Sequence, residues 1–441
     1  MAFNPQQIIV DLIKLVAGRP VCIAYSGGVD SHVLLHLLAN TQHPQLTSIR
    51  TIYVDHGLHA ESDKWREHCA SVSKSLDITF ESLTVSVENI DELGLEAAAR
   101  QARYQAFSSA LFENEVLVTA QHQQDQAETL MLQLLRGSGP SGLSAMGRES
   151  TMKGMTILRP LLGLSKADIL DYAQLHQLSW IEDSSNADLT LNRNYLRHQV
   201  FPNLESRWPA VAKTMSRSAD HCREATVLLQ ELAHLDAQRV CIDPPNILSV
   251  SALTELSEPR QRNLLRFSIE QCDLNLPSTV VLQRAIDEVC SAAEDKSPHV
   301  HWPGAEIRRY RDQLIIQAVK MTNTELTEQH IEGASELELT DGCWLKWQVV
   351  SGQGLKSHVA KGPLQLKFRQ GGEKIKLQGH SQHKALKQLF QEWGVPPWRR
   401  QFIPLLFVEQ ELVAVVGYGY AEHYAADIGE KGWLPYLEPV E

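Results

Sequence analysis

From residue 1 to about 205, apolar and polar positions follow two alternating periods. Short apolar or β-branched runs at 21–25, 49–54, 78–87 and 116–120 predict strands, with briefer ones near 156–159 and 179–182. Between them, 30–40, 61–76, 95–112, 125–136 and 165–177 carry apolar residues at helical spacing, and His32 to Asn40 reads as amphipathic. Strands joined by helical crossovers make an α/β fold, a doubly wound parallel sheet whose ligands collect beyond the strand C-termini. From Pro209 to about Asp295 the pattern turns helical (209–240, 259–272, 278–293), and a strand-like piece follows at Ala305 to Gln317. Residues 321–335 are polar and aperiodic, as a linker is. The remainder has short strands, glycines and one helix near 382–393. The expected order is a doubly wound N-terminal domain (1–205), a mainly helical middle domain (206–320) and a small α+β C-terminal domain (336–441).

Composition narrows the class. A chain of 441 residues implies two to four domains, and 43% hydrophobic with 21% charged residues is ordinary for a globular protein. No apolar run approaches the ~20 residues of a membrane span and no signal-peptide core is present, so cytoplasmic residence is the expectation. Seven scattered cysteines (22, 69, 222, 241, 272, 290, 343) without a Cys-x-x-Cys pair argue against a disulfide framework, a zinc ribbon or an iron–sulfur cluster. The net charge of −12 speaks against nucleic acid, yet residues 361–400 hold nine basic residues against two acids, a local +7.

Candidate chemistry clusters at predicted strand ends. Ser26-Gly27-Gly28-Val29-Asp30-Ser31 links the first strand to a helix, where unpaired N–H groups and the helix dipole favour an anion. Gly27 and Gly28 let the backbone approach a phosphate, Ser26 and Ser31 offer hydroxyls, and Asp30 offers a magnesium ligand. No Walker-type Gly-Lys-Ser/Thr follows. The second strand ends in Val54-Asp55-His56-Gly57-Leu58, either a pocket lining or a solvated turn. Arg100 and Arg103, three apart on a helix, suit phosphate or carboxylate, or else a solvated face paired to Glu96. In Thr119 to Thr129, the predicted core stripe is Ala127, Leu130, Met131, Leu134 and Leu135. At ~100° per residue Asp125 then lies opposite the stripe and Glu128 flanks it, both free to face a ligand or else merely complementing the helix N-terminus. Arg136 to Gly142 reads as a lid or an ordinary loop. Acids in Trp180 to Asn186 and arginines in Asn192 to His198 form a site or an internal ion-pair network.

SGGVDS is similar to the phosphate loop (PP-loop) of the N-type ATP pyrophosphatases. Together SGGVDS, VDHGL, GLEAAARQARY, TAQHQQDQAET, LLRGSGPSGLSAM, LRPLL, WIEDSSNAD and NRNYLR resemble the tRNA(Ile)-lysidine synthetase family, bacterial members of that group. SRSADHC, AEIRRYRDQL, GVPPW and IPLLF extend the resemblance over nearly the whole chain. It departs at Gln124-Asp125, where the family usually has two aspartates. The resemblance implies a PP-loop catalytic domain in a carbon–nitrogen ligase, with ATP as substrate and Mg2+ at Asp30. In the reaction the resemblance implies, ATP adenylates O2 of the wobble cytidine of a CAU-anticodon tRNA(Ile), and free L-lysine then displaces AMP. The lysine amine must be neutral; a pKa of ~10.4 lies ~3.4 units too high, about 4.6 kcal/mol at pH 7. A carboxylate base is therefore expected.

The implied roles are Asp30, Asp125 and Glu128 in catalysis, Ser26 to Ser31 in ATP binding, and Arg100, Arg103, His122 and Arg193 in lysine or phosphate binding. In the basic segment, Leu386, Leu389, Phe390 and Trp393 form a stripe that leaves Lys384 and Lys387 outside. With Lys374, Lys376, Trp398, Arg399 and Arg400 they are the implied tRNA contacts. No membrane partner is expected, and a homodimer is left open. Other readings are a tRNA thiolase or an amidating ligase on the same loop, and a non-catalytic tRNA-binding protein.

Overall fold

A computed structural model describes residues 4–46, 48–57, 61–243, 245–292, 296, 298–319, 328–339 and 343–439. The chain divides into two compact units, Met1–Leu232 and Ala233–Glu441.

The first unit opens with helix α1 (Pro5–Val16), whose N-cap Asn4 accepts from the Gln7 N–H. There follow β1 (Val21–Ala24), α2 (Val29–Ala39), β2 (Ile49–Asp55), α3 (Ser62–Ser75), β3 (Thr79–Thr84), α4 (Ile90–Leu93) and α5 (Leu95–Ala110). After the crossover come β4 (Val116–Val118), α6 (Gln123–Leu135), α7 (Pro140–Leu143), β5 (Glu149–Met152), β6 (Met155–Leu158) and α8 (Lys166–Leu175). The sheet order is β3-β2-β1-β4-β6-β5, parallel except for the β5–β6 pair. Winding runs outward from β1 through β2 to β3, then restarts at β4 on the other side of β1. The gap beyond the C-termini of β1 and β4 is the switch point where this fold type places its ligand.

Packing explains the elements. β4 is buried along its length and β1 up to Ala24 at its C-terminal end, as central parallel strands are. The expected amphipathic helix at 32–40 is instead enclosed, with Ser31, His32, Val33, Leu34, Leu35, Leu37 and Leu38 of α2 all buried. No strand forms at 179–182. The Ile181 N–H donates to the Gly27 carbonyl instead, at 3.0 Å, so this segment lies on the phosphate loop. The run 136–142 is largely exposed and partly helical, and the chain just past it is tied down where the Gln126 side-chain amide bonds both the N–H and the carbonyl of Met146. Past α8 come α9 (Asn192–Tyr195), a π-helical turn (Leu196–Val200), α10 (Phe201–Arg207) and α11 (Val211–Val240).

In the second unit the helices Glu258–Gln271 and Thr279–Arg284 accompany a five-stranded antiparallel sheet that the sequence pattern did not reveal. Its core holds Leu248, Leu264, Leu265, Ile269, Ile307 and Ile316. The single strand expected at 305–317 is a hairpin, Ala305–Tyr310 paired with Gln313–Ala318. Of the expected linker, 321–327 lie outside the described residues, and Gln329–Glu332 is a strand paired with Pro363–Lys367. The C-terminal part has antiparallel sheets throughout, and its helix is Leu386–Glu392.

Candidate active site

The turn after β1 is shaped by its own atoms. The Ser31 hydroxyl donates to the Gly28 carbonyl (3.0 Å) and accepts from the Ser26 N–H (3.3 Å). Gly27 has φ +80°, and a Cβ there would lie 2.6 Å from Ile181 Cδ1 and 3.0 Å from Cys69 Sγ. Glycine is thus required at 27 by the chain itself, through backbone conformation and close packing. Gly28 caps α2 with an ordinary φ, and a Cβ there would meet only Ser26 Oγ at 3.6 Å, leaving room for a ligand. Val29 sits in the core, so only its backbone faces the turn.

Asp30 lies in the first turn of α2, with Oδ1 2.6 Å from Lys166 Nζ and 3.6 Å from His122 Nε2. His122 is the N-cap of α6. Its Nδ1 accepts the Gln124 N–H at 3.2 Å, while Asp125 Oδ2 accepts the His122 N–H at 3.0 Å. His122 Nε2 also lies 3.5 Å from Asp125 Oδ2, so one imidazole stands between two carboxylates. Burial pushes the Asp125 carboxyl up, but His122, Arg193, the His122 N–H and Arg197 outweigh it and hold the group below the usual carboxylate range.

Glu128 is not free to face a ligand. Its side chain is fully buried, accepting from Arg193 Nε (2.9 Å), Arg197 Nε (2.7 Å) and Arg197 Nη2 (2.9 Å). Arg193 also donates to the Asp125 carbonyl and the Thr129 hydroxyl, and Arg197 reaches Asp125 Oδ1 at 3.2 Å. The stripe expected on α6 holds only over its first turns. Ala127 packs with Leu196 and Phe201, whereas Leu134 and Leu135 are exposed. Arg197, expected only as part of a site or ion-pair network in 192–198, pairs with acids of α6 instead of those in 180–186, and Lys166 is not foreseen at all. Arg197 had a signal in its i, i+4 spacing from Arg193, and Lys166 in its place beside the capping residue Ser165.

The other arginines stand apart from this cluster in their bonding. Arg103 Nε donates to His56 Nε2 at 3.2 Å, and Arg100 lies over the Tyr104 ring at 4.7 Å rather than pairing with Glu96. Asp55 Oδ1 accepts the Gly57 N–H, closing the turn after β2, and Leu58 lies outside the described residues. Burial, with Arg103 beside it, lowers His56 to about 4.

The basic segment carries less free charge than its local count suggests, because acids from outside the window reach it. Lys367 pairs with Glu328 and Lys376 with Glu422, while Lys384 pairs with Glu392 inside it. Arg400 is a correction: it is buried, donating to the Val395 carbonyl and the Tyr310 hydroxyl, and cannot present its charge to RNA. Lys374, Lys387 and Arg399 are exposed. Leu386, Leu389 and Phe390 are buried as expected, with Trp393 half-buried.

Known proteins now bear on the chain as a whole. The PP-loop domain model matches residues 3–204, the TilS substrate binding domain 248–315 and the TilS substrate C-terminal domain 364–438. A tRNA(Ile)-lysidine synthase of Coxiella burnetii is 38% identical over 99% of this chain and 97% of its own length. Those of Pectobacterium atrosepticum (39%, 93% of each chain) and Serratia proteamaculans (38%, 98% of each) agree over similar spans. Identity of that degree over nearly the full length, on a phosphate loop at the switch point of a parallel sheet, places this chain in the tRNA(Ile)-lysidine synthase family.

Proposed function

We propose that the chain ligates free L-lysine to carbon 2 of the wobble cytidine of CAU-anticodon tRNA(Ile), through an adenylated tRNA, releasing AMP and pyrophosphate. The product reads AUA instead of AUG. The observation that carries this reading is the meeting of two strand ends. The Asp30 turn of SGGVDS and the His122–Glu128 segment approach within 3.6 Å at the switch point. In this reading residues 1–205 carry catalysis, 206–320 bind substrate and 336–441 contact tRNA, in keeping with the order of the three family models.

The cytidine leaves its anticodon stack to reach the site. Its O2 attacks the α-phosphorus of ATP, the bond to the β-phosphate oxygen breaks, and pyrophosphate leaves. The unpaired N–H groups at the start of α2 and the exposed Ser26 hydroxyl hold the phosphates in line, while Ser31, buried beneath them, holds the turn's shape through its bond to the Gly28 carbonyl. The lysine ε-amine then attacks carbon 2, AMP departs with the former O2, and the amine gives up its proton. Asp125, held ionised by its cationic neighbours, pairs with the lysine ammonium; the same neighbours weaken it as a base, so it accepts the proton only as attack on carbon 2 makes the nitrogen acidic. Glu128 fixes Arg193 and Arg197 around it, so its part is positioning. His122, between the two carboxylates, and Arg100 and Arg103 are the remaining phosphate or lysine contacts of this reading.

Mg2+ fits as a substrate-borne ion. Among the described residues no group of three or more His, Cys, Asp or Glu side chains could hold a metal alone. Asp30 gives one carboxylate, which suits an ion otherwise held by phosphates and water. When bound, the ion neutralises charge on the phosphate oxygens.

The test incubates the protein with CAU-anticodon tRNA(Ile), ATP and lysine, and follows pyrophosphate and the mass of the wobble nucleoside. A lysine adduct that needs all three, and pyrophosphate release lost in Asp30→Ala, is the expected result. ATP consumption without a tRNA adduct would overturn the reading.

A further inference from the structure

Lys166 is the first residue of α8, where the helix dipole disfavours a cation. Its backbone is fixed nonetheless. Ser165 and Asp168 form a capping box, and the Gln123 N–H donates to the Leu164 carbonyl at 2.9 Å, tying the approach to α8 to the start of α6. From there Nζ reaches Asp30 Oδ1 at 2.6 Å, and Asp30 is its only ion-pair partner among the described residues. The pair is open to solvent, with side-chain exposures of 41% and 30%, so it adds little to stability. An ammonium held against the dipole, beside the phosphate loop, on a carboxylate that magnesium would claim, is placed for an anion that arrives with the nucleotide.

We propose that Lys166 contacts the β- and γ-phosphates of ATP and stabilises the departing pyrophosphate, an assignment that rests on the adenylation reading above. As the cytosine O2–phosphorus bond forms and the α-phosphorus–oxygen bond breaks, the electron pair stays on the pyrophosphate oxygen. The ammonium hydrogen-bonds that oxygen without giving up its proton, which concentrates its effect where charge develops. AMP lacks these phosphates, so Lys166 separates ATP binding from AMP binding.

Full-length wild type, Lys166→Ala and Lys166→Arg are compared by equilibrium binding of ATP, pyrophosphate and AMP, and by tRNA-dependent pyrophosphate release. Expected for Lys166→Ala are at least tenfold weaker ATP and pyrophosphate binding, AMP binding within twofold of wild type, and kcat for release down a hundredfold or more. Lys166→Arg recovers part of each. If Lys166 served only to tether Asp30, ATP and AMP binding would fall together, and Lys166→Ala added to Asp30→Asn would change nothing further; either result overturns the assignment. Wild type that releases no pyrophosphate would instead count against the adenylation reading itself.

Discussion

Replacing Glu128 by glutamine keeps its shape and removes its charge beneath two guanidinium groups. The three bonds onto the carboxylate, at 2.7 to 2.9 Å, are charge-assisted. Such bonds contribute about 1.5–3 kcal/mol each, so the set approaches roughly 4.5–9 kcal/mol as an upper bound. The substituted amide keeps one neutral acceptor oxygen, and Arg193 and Arg197, at 25% and 33% side-chain exposure, regain some water. A loss of about 3 kcal/mol remains, near the low end for breaking a buried pair. For a unit of this size that is a melting shift of about 6–12 °C. Calorimetry of the full chain should show it in the first unit's transition, with Arg193→Gln added to Glu128→Gln costing much less than it does alone. A shift under about 2 °C would mean that Glu128 does not hold residues 192–197 in place.

Gly27→Ala should lower both melting temperature and pyrophosphate release, since the left-handed backbone adds ~1–2 kcal/mol of strain before the Cβ meets Ile181. Gly28→Ala, which loses only glycine's advantage over alanine at the N-cap of α2, should lower melting much less, and equal effects at the two positions would refute this packing. Burial lowers His32, His36 and His56, the last to about 4. Their folded pKa values lie below the unfolded value, so the stability of the neutral rings is present above pH ~6.5 and is lost as pH falls toward ~4. Urea midpoints at pH 7.5, 5.5 and 4.5 should therefore decline, and a flat series would contradict it. Lys374→Glu with Lys387→Glu should weaken tRNA binding and reduce its salt slope by about one per lost phosphate contact. Arg400→Ala should cost stability and leave the salt slope unaltered, as filter binding across salt concentrations would reveal.

The parallel sheet was legible because its strands are continuous apolar runs and its crossovers carry helical spacing. What escaped prediction was set by distant chain. A helical wheel of 125–136 cannot anticipate two arginines arriving from 193 and 197, so Glu128 looked free when it is buried. The charge count over 361–400 could not include Glu328 or Glu422. The hairpin at 305–318 turns on Arg311-Asp312, with Arg311 at φ +55° and no glycine to mark the turn, so two strands read as one. Lys153-Gly154, which turns β5 into β6, carries the more usual glycine and could have been found. The anion-binding turn is legible in the order strand, glycine pair, helix, yet the reason for Gly27 lies in Ile181, a residue whose pattern suggests a strand.

The segment that seats Ile181 against Gly27 goes on to deliver the arginines that grip Glu128. A nascent chain therefore exposes SGGVDS long before it can finish it: the loop's backstop and the two arginines around Glu128 leave the ribosome together. Grafting the six-residue motif into a foreign strand–helix junction would carry the glycine and leave behind what makes the glycine necessary.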